Sequence, residues 1–309
     1  MTLNRRDLLK SLGCGSAALA AGAAYAAPAY AAEGATRAPA DAMGLLYDAT
    51  VCIGCKACVS ACSTANGLIP DTKASDGLWQ MPFDLNAQTK NIIKLYQSED
   101  GKQTSFVKKQ CMQCLDPACV SGCPFGALQK SKYGIVEWHA NRCIGCRYCE
   151  ISCPFDVPRF EWAKFNPRIV KCELCRHRLA DGRQPACTDV CPVGAVIFGT
   201  REQLLAEAKR RLQLHPGKYY QDRVYGEYDL GGTQVLYLSH VPFEKLGLPE
   251  AGNESRAHAG SKVHEVVYKG MAIPAIVYAG IVAILRSRWK EHEEEAAHEQ
   301  KRTGLPEQL

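Results

Sequence analysis

Two stretches of the chain carry no charge. Residues 11–32 are a mild run of Leu, Ala and Gly that closes on Ala29-Tyr30-Ala31. Residues 270–285 read Gly-Met-Ala-Ile-Pro-Ala-Ile-Val-Tyr-Ala-Gly-Ile-Val-Ala-Ile-Leu. Between them the apolar positions come in short pieces. Residues 127–130 and 135–138 predict two strands of a hairpin, turning at Ser131-Lys132-Tyr133-Gly134. Leu45-Leu46-Tyr47 and Ala195-Val196-Ile197-Phe198 are two further, matching strand candidates. After Gly199 the period becomes helical. Leu204, Leu205, Ala208 and Leu212 fall on one face, and Thr200 with Gln203 forms a capping box at its start. Strands and helices this short and mixed predict an α+β fold with small cores.

The uncharged sixteen residues at 270–285 would cover only about 24 Å as a helix, short of a bilayer core. Starting at Val266 and letting Lys269 snorkel extends the run to 20 residues, which suffices. Pro274 and Gly280 suit a membrane helix better than a soluble one. Arg286, Arg288 and Lys290 follow at once and would stay cytoplasmic. The expectation is a single C-terminal transmembrane helix at 266–286 in the inner membrane, with a charged cytoplasmic tail at 287–309. A buried core helix is the other reading. At the opposite end Asn4-Arg5-Arg6-Asp7-Leu8-Leu9-Lys10 precedes the mild apolar run and a small-x-small cleavage site. Residues 1–31 thus resemble a twin-arginine signal peptide, which would engage the twin-arginine export machinery and put the bulk of the chain on the periplasmic side.

Composition sharpens this. At 47% hydrophobic and 22% charged, the 309 residues are neither disordered nor a multi-span membrane protein. Seventeen cysteines are too many for chance, and the chain is too long for a disulfide miniprotein. Cys14 sits in the signal and is a bystander. The remaining cysteines form four motifs of four: Cys52-x2-Cys55-x2-Cys58-x3-Cys62, Cys111-x2-Cys114-x4-Cys119-x3-Cys123-Pro124, Cys143-x2-Cys146-x2-Cys149-x3-Cys153-Pro154, and Cys172-x2-Cys175-x11-Cys187-x3-Cys191-Pro192.

The third motif matches the bacterial ferredoxin run in full. Its first three thiolates wrap one cubane, and the fourth, before proline, points to another. Motifs of this kind work in pairs, so four of them imply four [4Fe–4S] clusters, with iron bound through cysteine. Gly54 and Gly145 supply positions where backbone N–H groups can turn towards sulfur. Alone, the fourth motif with its long gap would serve zinc as well; four complete motifs together favour iron–sulfur. The predicted hairpin joins motifs two and three as in a two-cluster ferredoxin. Motifs one and four then pair across the chain, which nests one module inside the other. Export of an already folded, cluster-loaded chain would also spare these thiols from oxidation.

The nested four-motif segment, residues 43–200, resembles the iron–sulfur electron-transfer subunits of membrane-bound respiratory oxidoreductases, the dimethyl sulfoxide reductase and formate dehydrogenase beta family. This resemblance implies the ligand sets. Cys52, Cys55, Cys58 and Cys191 would hold a first cluster, and Cys62, Cys172, Cys175 and Cys187 a second. Cys111, Cys114, Cys119 and Cys153 would hold a third, and Cys123, Cys143, Cys146 and Cys149 a fourth. Some members replace one ligand with tryptophan, whereas this chain keeps all its cysteines. Residues 201–262 form a C-terminal extension. There Gly231-Gly232-Thr233-Gln234-Val235-Leu236-Tyr237 and Tyr268-Lys269-Gly270 resemble both formate dehydrogenase and hydrogenase-2 subunits. Signal, Met43-Gly44-Leu45-Leu46-Tyr47-Asp48 and C-terminal run together look most like the hydrogenase-2 type.

The chain has no Gly-rich nucleotide loop, no nucleophile motif and no metal site beyond the clusters. The expected function is therefore non-catalytic electron transfer in a membrane-bound respiratory hydrogenase. Electrons would pass from its large and small catalytic subunits to an integral membrane quinone-reactive subunit. The alternatives are the equivalent subunit of a formate dehydrogenase or another molybdenum or tungsten oxidoreductase, and a cluster-based redox sensor. Lys108, Lys109, Arg142, Arg147, Lys171, Arg176 and Arg178 flank the motifs and can offset cluster charge, so no nucleic-acid partner is inferred from them. Residues 63–110, with Trp79 and Phe83, hold no ligand and either dock the catalytic subunit or pack on the modules. Tyr219, Tyr220, Tyr225 and Tyr228 are interface or core. Removing residues 1–31 takes away Arg5, Arg6, Lys10 and Asp7, and the formal charge falls from +5 to +3.

Overall fold

The computed structural model describes residues 38–69, 82–165 and 167–303. The signal segment, Cys14 and Trp79 lie outside the described residues. Ala32–Lys262 forms one compact unit, and the chain from Val263 onward belongs to a second.

The first unit is organised on a three-stranded sheet. Its central strand β1 (Met43–Asp48) is buried along nearly its whole length. The sequence expectation matched Leu45-Leu46-Tyr47 with the apolar residues after the fourth motif, and β1 pairs antiparallel with that strand, setting Leu45 against Phe198. On its other side β1 runs parallel to a strand at Val235–Leu238, with Leu45 opposite Val235. Successive side chains of a strand point to opposite faces, and here both faces are covered. Leu45 and Tyr47 join the main core with Ile92, Ile93, Val107, Val196 and Tyr237. Leu46 joins a second core with Leu204, Ala208, Leu236 and Leu238.

The chain continues from β1 through the first motif into helix α1 (Ala57–Ala65). A hairpin of β2 (Asn91–Gln97) and β3 (Thr104–Gln110) follows, with Asn91 opposite Gln110 and Ile93 opposite Lys108. Next come α2 (Ala118–Ser121) and the expected short hairpin, β4 (Leu128–Lys130) paired with β5 (Val136–Trp138). Its turn uses two left-handed residues, Tyr133 at φ +63° and Gly134 at φ +70°. Helix α3 (Tyr148–Ser152) and the two-residue pair β6 (Arg159–Phe160) and β7 (Ile169–Val170) lead to α4 (Arg176–Ala180) and α5 (Ala186–Asp189). Then β8 (Val196–Thr200) runs straight into α6 (Arg201–Leu214).

The capping box at the start of α6 is formed: Thr200 Oγ1 accepts from the Gln203 amide at 3.3 Å, and Gln203 Oε1 accepts from the Thr200 amide at 3.2 Å. Leu204 and Ala208 are buried, while Leu205 and Leu212 are only partly covered. Strand β9 (Val235–Leu238) completes the sheet. Asp48 at the end of β1 is buried, ion-paired with Arg211 of α6 at 3.0 Å and reached by the Tyr219 hydroxyl at 3.2 Å. Tyr219 and Tyr225 are core residues and Tyr228 is exposed.

Helix α7 (Ala257–Thr303) carries the C-terminal apolar run and has Pro274 inside it. The expected transmembrane helix at 266–286 is corrected here: among the described residues no helix is long and apolar enough to cross a membrane. The physical reason is the one met in the sequence. The uncharged run is sixteen residues, about 24 Å, and lengthening it takes in Lys269 on one side or Arg286 on the other. The single-pass inner-membrane placement, with a periplasmic body and a cytoplasmic C-terminus, rested on that span and falls with it.

Candidate metal centres

The first and third motifs fold into the same loop. Gly54 and Lys56 have φ +67° and +58°; their counterparts Gly145 and Arg147 have φ +75° and +62°. Left-handed backbone at these positions turns the chain so that three closely spaced cysteines face one side. An aromatic ring closes each loop. A Cβ on Gly54 would lie 2.4 Å from the Phe106 ring, and one on Gly145 would lie 3.3 Å from the Phe160 ring. Phe106 comes from β3, so the segment between motifs one and two packs on the first loop. The Tyr47 hydroxyl donates to the Phe106 carbonyl at 2.7 Å and ties the hairpin to β1. Phe83 is exposed beside it, with the Lys94 ammonium 5.5 Å above its ring.

Backbone N–H groups are aimed at sulfur in matching places. Gly54 donates to Cys52 Sγ at 3.4 Å; Ala127 donates to Cys123 Sγ and Ala195 to Cys191 Sγ, each at 3.2 Å. The last two sit at the same place in the Cys-Pro-x-Gly-Ala ends of motifs two and four. Such donors favour the thiolate over the thiol.

Two cavities are each lined by four cysteines from two motifs. One has Cys52, Cys55, Cys58 and Cys191 on its wall, with Ile93 and Lys108. The other has Cys123, Cys143, Cys146 and Cys149, with Phe125 and Ile144. The remaining cysteines interact electrostatically in two groups: Cys172 with Cys62, Cys175 and Cys187, and Cys114 with Cys153, Cys111 and Cys119. Among the described residues no group of three or more His, Cys, Asp or Glu is arranged to hold a single metal ion. The cysteine-lined spaces, mostly walled by apolar side chains and bordered by aimed N–H groups, fit a polynuclear iron–sulfur cluster in donor chemistry.

Burial dominates the thiol chemistry. It pushes Cys58 and Cys149 up to about 12, and Cys62 and Cys153 up to about 11. A thiol held so high is protonated at neutral pH, so cluster loading must expel its proton.

Several buried polar groups lie around these cavities; Lys108 and Lys171 were expected near the motifs, whereas Gln110 and Gln113 had no signal in a cysteine-based reading. Gln113, at φ +52°, spans two motifs: its Nε2 donates to the Cys172 carbonyl at 2.8 Å, and its Oε1 accepts from the Val136 amide at 2.7 Å. Lys108 and Lys171 are fully buried, Lys108 donating to Gln110 Oε1 and Lys171 to the Val136 carbonyl. Gln110 Nε2 is buried without a partner. Of the other basic residues near the motifs, three are ion-paired, Lys109 with Asp84, Arg176 with Glu137 and Arg178 with Asp189, while the exposed Arg147 lies over the Trp162 ring at 4.3 Å.

Comparison with known proteins agrees with this chemistry. The 4Fe-4S dicluster domain family matches residues 51–127 and again residues 102–201. The chain is 40% identical to the hydrogenase-2 operon protein HybA of Shigella flexneri, over 93% of this chain and 96% of that one. It is 38% identical to a protein of Nitratidesulfovibrio vulgaris, over 96% and 80%. It is also 39% identical to the nitrate-inducible formate dehydrogenase iron-sulfur subunit of Shigella flexneri, over 63% and 67%.

Proposed function

Because this chain belongs to the 4Fe–4S dicluster family that includes the HybA proteins and the formate dehydrogenase iron–sulfur subunits, we propose that it is a non-catalytic electron-transfer subunit of a respiratory hydrogenase complex. In this reading it links the hydrogenase large and small subunits to a separate quinone-reactive subunit. Four [4Fe–4S] clusters would be held by the four cysteine sets given above. When bound, they supply one-electron redox chemistry at closely spaced centres. The chain's own residues bind through sulfur, exclude water with Phe106 and Phe160, and orient backbone N–H groups towards the ligands.

The observation that carries the reading is the grouping of the cysteines. Two complete sets wall two separate cavities, and the other two sets interact within themselves. The hydrogenase partner is favoured over formate dehydrogenase because the HybA similarity runs through the extension after residue 200 and covers 93% of the chain, against 63% for the formate dehydrogenase subunit.

Iron and sulfide analysis of the anaerobically purified chain, with EPR of the reduced protein, tests the cofactor assignment. About sixteen irons and as many sulfides per chain are expected; two clusters only, or bound zinc, would overturn it. Co-purification from native membranes tests the partner. A nickel-containing catalytic subunit is expected, and one carrying molybdenum or tungsten would move the assignment to the formate dehydrogenase type.

A further inference from the structure

Lys108 and Lys171 are the only lysines fully buried among the described residues. Burying an ammonium costs several kcal/mol unless negative charge is at hand. Neither has a carboxylate as hydrogen-bond partner: Lys108 donates to the neutral Gln110 amide, and Lys171 to the carbonyls of Val136 and, at 3.3 Å, Cys172. The compensating charge is sulfur for Lys108, and sulfur together with the Glu173 carboxylate for Lys171. Lys108 stands in the wall of the cavity lined by Cys52, Cys55, Cys58 and Cys191. The cysteines that act on it most strongly are Cys187, Cys58, Cys172 and Cys62, which come from the first and second sets. Lys171 feels Cys111 and Cys119 of the third set and Cys172 of the second, with Glu173 beside it. Each ammonium therefore lies between two cysteine sets. The charged neighbours that act most strongly on Cys149 of the fourth set are the other three cysteines of that set and Glu150, with no lysine among them.

We propose that Lys108 and Lys171 are fixed, buried cations that raise the reduction potentials of the cluster pairs they separate: Lys108 those of the first and second sets, Lys171 those of the second and third. This rests on the cluster assignment above. The reason is electrostatic. Adding an electron makes a thiolate-ligated centre more negative, and a desolvated positive charge between two centres stabilises that state at both. Packing supports a fixed position for Lys108. It sits on the inward face of the β2–β3 hairpin opposite Ile93, its backbone carbonyl accepts from the Tyr237 hydroxyl, and Gln110 holds its ammonium. Both are positioning residues: they touch no substrate and act through the centres they flank.

The test is an EPR-monitored redox titration of the full-length, anaerobically purified chain, with iron counted in every sample. In Lys108→Gln two of four midpoint potentials should fall, and in Lys171→Gln two should fall. One potential should move in both variants and one in neither; Lys108→Arg and Lys171→Arg should titrate as the wild type. Unchanged potentials in fully loaded Gln variants would overturn the proposal, as would Arg variants that shift as far as the Gln variants. Loss of iron in the Gln variants would also overturn it, because the charge would then serve assembly instead of potential. A wild-type chain well short of about sixteen irons would instead refute the cluster assignment itself.

Discussion

Gly54 offers a test in which the structure fixes the size of the effect. Its φ of +67° is costly for any residue with a Cβ, by about 1–2 kcal/mol. A Cβ there would also stand 2.4 Å from two ring carbons of Phe106, a contact that real structures do not contain. The ring cannot simply swing away, because its backbone is held by the Tyr47 hydroxyl and by the β2–β3 ladder. Forcing extra atoms into such a place typically costs a further 1–3 kcal/mol or so. Gly54→Ala should therefore lose about 2–5 kcal/mol. Gly67 is the control: its φ is +59°, but nothing lies within 4 Å of its Cβ position, so only the backbone part applies. Thermal unfolding of the loaded chain under anaerobic conditions should show Gly54→Ala several degrees below Gly67→Ala, at roughly 2–4 °C per kcal/mol for a unit of this size. Iron analysis should show a selective loss of about four irons, from the set containing Cys52. In a Phe106→Ala background the extra penalty should vanish, a coupling of about 1–3 kcal/mol. Equal melting of the two glycine variants, or a penalty that survives removal of the ring, would refute the reasoning.

Three further outcomes follow from other places in the fold. Gly44→Ala would put a Cβ 1.9 Å from the Gln234 carbonyl oxygen, which accepts from the Leu45 amide, so β9 must separate from β1; proteolysis should then cut near Gln234 in the variant and not in the wild type. Asp48→Ala removes the buried acceptor of Arg211, Tyr219 and Thr50, while Arg211 keeps Glu207 at 2.8 Å, and should destabilise by about 1–3 kcal/mol in denaturant unfolding, a cost that Arg211→Met in the same chain should partly relieve. Hydrogen bonds from Arg168, with help from Lys164, hold Glu161 at about 2 instead of the ordinary 4.5. Its folded value is depressed, so its contribution is fully present above pH 4.5 and is lost as pH falls towards 2; wild type should lose melting temperature across that window more steeply than Glu161→Gln, and parallel curves would count against the ion pair.

How much of this could be read from the sequence depended on how local the signal was. The β4–β5 hairpin and the capping box of α6 lie within a few residues of their own cues, so both were legible. The pairing of β1 with β8 followed from the cysteine spacing, because motifs one and four had to meet. Residues 63–110 were read as a ligand-free segment that docks a partner or packs on the modules, and the β2–β3 hairpin within it was not seen, for a physical reason. Lys108 and Gln110 occupy inward positions of β3, where an alternating pattern would need apolar residues. Gln110 therefore went unread, and Lys108 was named only among residues that can offset cluster charge. β9 is a continuous buried run, Val-Leu-Tyr-Leu, whose parallel partner lies about 190 residues away, and no local feature names it. The C-terminal run misled in the opposite direction, since charge-free composition alone does not supply the length a bilayer requires.

The charge of the chain points to the same organisation. A formal +5 invites a search for acidic partners, yet most of the basic residues near the motifs are buried or ion-paired, while Arg142 and Arg147 are exposed. Lys108 and Lys171 are sealed inside, and Lys109, Arg176 and Arg178 are committed to carboxylates. Four oxidised cubanes with four thiolates each would contribute about −2 apiece, so a loaded chain without residues 1–31 would stand near −5. Positive charge in this protein is thus placed where cluster loading would otherwise accumulate negative charge in a dry interior. It follows that in the unloaded chain the buried Lys108 ammonium has only thiols and the neutral Gln110 amide around it, whereas Lys171 keeps Glu173 beside it. Metal binding and folding are therefore coupled through Lys108 as well as through the cysteines. A chain that fails to load should lose the β2–β3 hairpin before it loses the β1–β8 pair, since the hairpin alone brings an uncompensated lysine into the core.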